Sequence, residues 1–208
     1  LLLARRGVTV ELFEHESQPF RGASRWNEGK IHLGFLYNAD PTLLTARQVI
    51  PGGLLFKPIV EDMLACSLET ATTTRDDLFL CHAKSVVAPD DMHGYFNQVA
   101  GLIRQHPDAG SYLVDASLCG CARLDARQLE SMTDSPDIVA GFRIPERSVS
   151  TVWVADRFLQ ALQAQENIVR HMGTRVLAVR PESAGSLDGG WHVDTAGGRF
   201  GRYDFVIN

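Results

Sequence analysis

Apolar and polar positions alternate over Val8 to Glu14, with Val8, Val10 and Leu12 on one side. That period of two predicts a short strand ending in an acid. Ahead of it, Leu1-Leu2-Leu3-Ala4-Arg5-Arg6 reads as the end of a helix closed by Gly7. Behind it, Gly22 to Tyr37 has no period and is rich in small residues and donors, which predicts a loop. Asp40-Pro41 then opens a helix, with Asp as cap and Pro in the first turn. Leu43, Leu44, Val49 and Ile50 form its apolar face, and Pro51-Gly52-Gly53 predicts a break. A second helix is predicted over Leu54 to Leu68, with Leu55, Ile59, Met63 and Cys66 along one side.

The polar stretch Glu69 to Asp77 is read as a boundary. Leu78 to His82 predicts a strand. Ala88 to about Gln105 predicts a helix, with Tyr95, Phe96, Val99, Leu102 and Ile103 facing inward. Ser111 to Arg123 alternates weakly and reads as extended, Asp125 to Met132 as a short helix, and Ile138 to Ile144 as a strand. A further strand is predicted over Val149 to Val152. Ala155 to Gln165 is amphipathic, and Ile168 to Val179 is an apolar run broken at Gly173. Trp191 to Thr195 and Arg199-Phe200 flank Ala196-Gly197-Gly198, a hairpin signal, and Tyr203 to Asn208 predicts a last strand.

The 208 residues suffice for one or two domains, and 45% apolar content is that of a soluble globular chain. A net charge of −5 with mixed signs argues against nucleic-acid binding, which needs a basic stripe. No apolar run is long enough for a membrane span. Cys66, Cys81, Cys119 and Cys121 are sparse and fit no secreted disulfide framework. They read as free thiols in a reducing compartment, which sets the expectation of a cytoplasmic protein. No zinc pattern, P-loop or Ser/His/Asp spacing is present, so no metal is expected.

The chemistry gathers around the first strand and loop. An acid at a strand end, here Glu14, can accept hydrogen bonds from the ribose hydroxyls of an adenine dinucleotide. The loop offers small residues (Gly22, Ala23, Ser24, Gly29) and donors (Ser24, Arg25, Asn27, Lys30), suited to a close approach to pyrophosphate. His32 is the only side chain among Lys30 to Gly34 that titrates near neutrality.

Two segments carry a family resemblance. Arg5 to Glu14 resembles the "LarrGhrVtvfE" segment of FAD-dependent oxidoreductases of the D-amino-acid oxidase-like superfamily, with its glutathione-reductase-type FAD-binding domain. Ala23 to Gly34 is similar to that superfamily's "S..N.G.IH.G" loop, particularly in enzymes of 2-hydroxyacids and glycerol phosphate. Gly173 to Val179, Gly190 to Thr195 and Tyr203 to Asn208 resemble the return of the chain to the FAD domain, where a three-stranded meander precedes a "D.VVnA" strand.

The resemblance implies an α/β fold: an incomplete Rossmann-like FAD-binding domain from 1–75 and 148–208, with an inserted α+β substrate domain over 76–147. It implies FAD as cofactor, with Glu14, Ser24, Arg25, Asn27, Gly29, Lys30 and Ile31 near it and the Val176 backbone meeting the adenine. His32 would serve as a base towards substrate, as a donor towards the flavin or as a covalent attachment point. The G-x-G-x-x-G turn would lie upstream of Leu1 and the rest of the substrate domain after Asn208, so truncation at both ends is expected. Arg123, Arg127 and Arg143 are candidates to clamp a substrate carboxylate. The activity expected of the full-length protein is oxidation of a small amine, amino acid or hydroxy acid by hydride transfer to flavin, with this stretch alone expected to be inactive. The alternative is a non-catalytic binding or interaction module that keeps a Rossmann-like core.

Overall fold

The computed structural model describes residues 1–182 and 189–208. The turn expected ahead of Gly190 falls at 183–188, outside them. In chain order the helices are α1 (Leu2–Arg5), α2 (Leu44–Leu64), α3 (Pro89–Gln105), α4 (Ala126–Glu130) and α5 (Thr151–Gln163). The strands are β1 (Val10–Phe13), β2 (Lys30–Ile31), β3 (Asp77–His82), β4 (Ala122–Arg123), β5 (Ile138–Ile144), β6 (Arg147–Ser148), β7 (Ile168–His171), β8 (Val176–Pro181), β9 (Trp191–Thr195) and β10 (Gly198–Tyr203). The chain divides into two compact units, 1–27 with 155–208 and 28–154.

In the first unit, Gly7 closes the turn after α1, with a φ of +81° that suits a residue without a Cβ. β1 then pairs in parallel with β7, Val10 opposite Ile168 and Phe13 opposite His171. Val10 and Leu12 pack with Leu1 and Phe20 on a core of Ala4, Leu162 and Ile168. Asn167 ties the entry to this pair by donating to the carbonyls of Ala4 and Val8, at 2.8 and 2.9 Å. β8, β9 and β10 form an antiparallel meander. Phe13 stacks on His171 at 4.6 Å and meets Phe200 edge-on at 5.0 Å. The strand expected over Tyr203 to Asn208 is not formed: Tyr203 closes β10, and 204–208 have no strand partner.

In the second unit, β3, β5 and β4 make an antiparallel sheet in the order β3-β5-β4. α3 covers it through Phe96, whose ring meets Phe79 at 5.2 Å, Phe142 at 5.3 Å and Phe35 at 5.7 Å, each edge to face. Met92, Tyr95, Val99, Ala100 and Ile103 complete the buried face of α3, while Leu102 is only half-buried. β2 pairs with β6, which ties residues 28–75 to the rest of this unit.

Three local expectations are corrected. Pro51-Gly52-Gly53 does not break the chain: α2 runs through it and through Pro58. Each interior proline costs about 3 kcal/mol, yet the helix is held by burial of Ala46, Ile50, Gly53, Leu54 and Val60. One continuous phase puts that stripe inside; Ile50 is buried as expected, but the side of Leu55, Ile59, Met63 and Cys66 is not the buried one, with Ile59 47% exposed. Val149 to Val152 is likewise not a strand. Ser150 Oγ accepts from the Trp153 N–H at 3.3 Å, a capping contact, and α5 begins at Thr151. Ser111 to Arg123 forms a strand only at β4.

Candidate active site

In the second unit the site grows from the short β2–β6 ladder. Lys30 lies opposite Ser148 and Ile31 opposite Arg147. The next antiparallel step sets His32 against Glu146. Glu146 is 1% exposed, and its Oε1 accepts from the Leu33 N–H at 2.6 Å. Its Oε2 lies 3.5 Å from His32 Nδ1, an ion-pair distance. Nδ1 is buried and has no hydrogen-bond partner, whereas the His32 side chain as a whole is 26% exposed. Nε2 lies 4.0 Å from Glu28 Oε1, on a side chain that is 69% exposed.

The Glu146 carboxylate beside Nδ1 raises the His32 pKa above its ordinary value. Burial and the charge of Lys30 act the other way, and Glu28 adds a smaller upward push. The ring is thus held by one nitrogen against an internal acid while the other faces outward. An imidazole so placed can take a proton at Nε2.

The ladder has its own supports. Tyr112 donates to the Ile31 carbonyl and accepts from the Arg147 N–H, both at 2.8 Å, so one phenol bridges the two strands. Its burial pushes the phenol pKa up. The Gly29 carbonyl accepts from the Val149 N–H at 2.9 Å. Gly29 has a φ of +67°, and a Cβ there would come 2.1 Å from the Val149 carbonyl oxygen. Lys30 is paired with Asp77 of β3 and is not a lone surface charge. Of the three candidate arginines, Arg123 is bound to Asp90 at 2.5 Å. Arg143 sits in β5 opposite Leu78 and Ala122, and Arg127 is exposed in α4.

The first unit holds the other predicted residues. Glu14 follows the end of β1, where its Oε1 accepts from the Glu16 N–H at 2.9 Å and meets His15 Nδ1 at 2.8 Å. Its carbonyl accepts from the Thr174 N–H at 2.8 Å, two residues before Val176 opens β8. The acid and the start of the meander are therefore neighbours. Val176 lies on β8 opposite Thr195 and is partly exposed. Arg25 is bound to Asp156 at 2.7 Å and lies over the Trp26 ring. Asn27 donates to the Ala23 carbonyl at 2.7 Å, and Ser24 is exposed.

Glu146, Tyr112 and Arg147 are the residues that sequence reasoning did not single out. Arg147 is bound to Asp76 at 2.8 Å with its side chain only 11% exposed. The one sequence signal for Glu146 is an acid closely following the predicted strand Ile138 to Ile144. Among the described residues there is no cluster of three metal-ligating side chains, and no helix is long and apolar enough to cross a membrane.

This arrangement of helices and strands is the fold of solved amino-acid and amine oxidases. Glycine oxidase from Geobacillus kaustophilus matches with a TM-score of 0.62 at 18% identity, over 97% of this chain and 48% of that one. Iminodiacetate oxidase from Chelativorans sp. BNC1 matches with 0.61 at 20% identity, over 95% and 47%. L-Amino acid deaminase from Proteus myxofaciens matches with 0.53 at 16% identity, over 97% and 40%. The chain thus spans about half the length of these structures or less, and at such identities the likeness is one of fold. No family model and no curated protein matches the sequence.

Proposed function

We propose that the chain belongs to an FAD-dependent oxidoreductase acting on a small amine, amino acid or hydroxy acid. The observation that carries this reading is the junction of Glu14 with Thr174. It joins the acid suited to a ribose to the strand whose Val176 the sequence resemblance assigns to adenine. The residues present fit such a cofactor. Glu14 has one oxygen held by the Glu16 N–H, which fixes the carboxylate while its second oxygen stays outside that contact. Gly29 closes its loop at a point where no side chain fits.

FAD, when bound, supplies the acceptor for a hydride. The chain's own residues do the rest. Glu14 binds ribose hydroxyls through charge-assisted hydrogen bonds. In the second unit, His32 takes the substrate proton at Nε2, the nitrogen turned away from Glu146. The fold neighbours, a glycine oxidase, an iminodiacetate oxidase and an L-amino acid deaminase, favour an amine or amino acid as substrate.

Titration of the full-length protein with FAD, followed by flavin fluorescence, tests the cofactor reading. Saturable binding is expected, weakened about 10- to 150-fold by Glu14→Ala, the equivalent of roughly 1.5–3 kcal/mol for a charged hydrogen bond. Unchanged affinity removes the ribose assignment. No binding by the parent protein turns the reading towards a binding module.

A further inference from the structure

The second unit buries one carboxylate almost completely, and its partners are all within reach of the candidate base. Glu146 has two oxygens with two different tasks. Oε1 accepts the Leu33 N–H at 2.6 Å, which fixes the carboxylate on the backbone just past His32. Oε2 faces His32 Nδ1 at 3.5 Å. That nitrogen is buried and has no hydrogen bond of its own. A buried polar atom without a partner is costly, and a small rotation of the ring towards Oε2 removes the cost.

We propose that Glu146 is a positioning residue that holds His32 as the Nδ1–H tautomer with a basic Nε2. This inference rests on the reading of His32 as the proton acceptor and adds the group that prepares it. The physical logic is that of any imidazole whose one N–H is claimed by a carboxylate. The tautomer, the ring orientation and the stability of the cation are all set by that partner. A carboxylate only accepts, so Nδ1 has to carry the hydrogen and Nε2 has to carry the lone pair. When Nε2 takes a proton from substrate, the imidazolium forms beside a fixed negative charge and the proton stays at Nε2. No proton passes to Glu146.

The other charges facing the ring do not reproduce this. Glu28 stands 4.0 Å from Nε2 on an exposed side chain. Lys30, on the same strand, disfavours the cation and is itself paired with Asp77. The ladder beneath is held independently by Tyr112, which bridges Ile31 and Arg147. The orientation of His32 therefore has Glu146 as its single buried ionic support among the described residues.

The test is a two-bond proton–nitrogen correlation spectrum of the full chain carrying ¹⁵N-histidine, recorded without FAD across a pH titration. The parent is expected to show neutral His32 as the Nδ1–H tautomer, titrating above its ordinary value. Neutral His32 as the Nε2–H tautomer in the parent overturns the proposal without any variant. In Glu146→Gln the amide can still accept from Leu33 but now offers an N–H to the ring. The tautomer should switch to Nε2–H and the titration move below that of the parent. Glu146→Asp, which keeps the charge, should restore the parent tautomer. An unchanged tautomer and titration in Glu146→Gln, with the Leu33 amide still protected from exchange, would show a merely structural carboxylate and sink the idea. Because the spectra contain no cofactor, failure of FAD binding is a separate result that overturns the proposed function and leaves this measurement readable.

Discussion

Gly53 of α2 lies directly against His32: a Cβ on Gly53 would come 2.4 Å from the His32 carbonyl oxygen and 2.9 Å from a Leu33 methyl. The glycine pair that reads as a helix break thus has a packing reason. Gly53 lets the long helix approach the backbone at His32 and Leu33. Its neighbour Gly52 is exposed and has open space where a Cβ would be.

These two adjacent positions should respond with opposite sign. Gly52→Ala should stabilise the protein by about 0.5–1 kcal/mol, because helical glycine is entropically costly and nothing blocks the methyl. Gly53→Ala gains the same propensity but drives the methyl into backbone, and should destabilise by about 1–3 kcal/mol. Urea denaturation of the two variants measures both, and destabilisation by Gly52→Ala would contradict the open space seen there.

Tyr112→Phe keeps the ring and removes the hydroxyl that bridges the Ile31 carbonyl and the Arg147 N–H. Two backbone groups lose a buried partner, so a loss of about 1–3 kcal/mol is expected. Amide exchange gives the location: the Arg147 amide should exchange faster while those of β5 keep their protection. Equal loss of protection across the whole sheet would argue against a local bridge.

His32→Ala, in the FAD-loaded protein, should slow flavin bleaching by substrate by about 10²–10⁴-fold, the worth of a positioned base. FAD affinity should hold, since Glu14 belongs to the other unit. Rapid mixing with amino-acid and hydroxy-acid substrates reads the rate. A bleaching rate equal to the parent's would leave His32 as a structural residue.

The raised pKa of His32 also predicts a pH dependence of stability. A histidine that binds its proton more tightly when folded stabilises the fold fully below its unfolded value, near 6.5. That contribution is lost as pH rises through the folded value. The stability difference between parent and His32→Gln should therefore shrink from about pH 5 to about pH 9. Paired urea titrations over that range check the sign, and a difference that grows with pH would contradict it.

Local signals carried much of the fold. Ile138 to Ile144 is apolar except for Arg143 and is stopped by Pro145, and β5 has those same bounds. Asp125 and Gln128 make the reciprocal cap that starts α4. The hairpin turns at Ala196-Gly197, with Gly198 opposite Thr195. Where local propensity and tertiary packing disagree, packing wins, as it does at Pro51 and at Val149. His32 was singled out from its chemistry alone. Glu146 was not, because it reaches Leu33 across 113 residues of chain and no short-range pattern encodes that pairing. Asp40 shows the intermediate case. It was read as a helix cap and does bind the Thr45 N–H at 3.0 Å, but α2 starts only at Leu44. Hydrogen bonds from Thr42 and Thr45 hold its pKa down to about 2.

The parallel pairing of β1 with β7 has a consequence for the order in which the protein can be made. Val10 finds its partner at Ile168, so 158 residues separate synthesis of the two strands. At about 5–20 residues per second, that is a wait of roughly 10–30 s on the ribosome. The stretch 28–154 has every partner for its own unit within itself and can close during that interval. Val10 and Leu12 cannot. β1 waits for its β7 edge until the later strand arrives, and an unpaired strand edge is open to wrong pairing meanwhile.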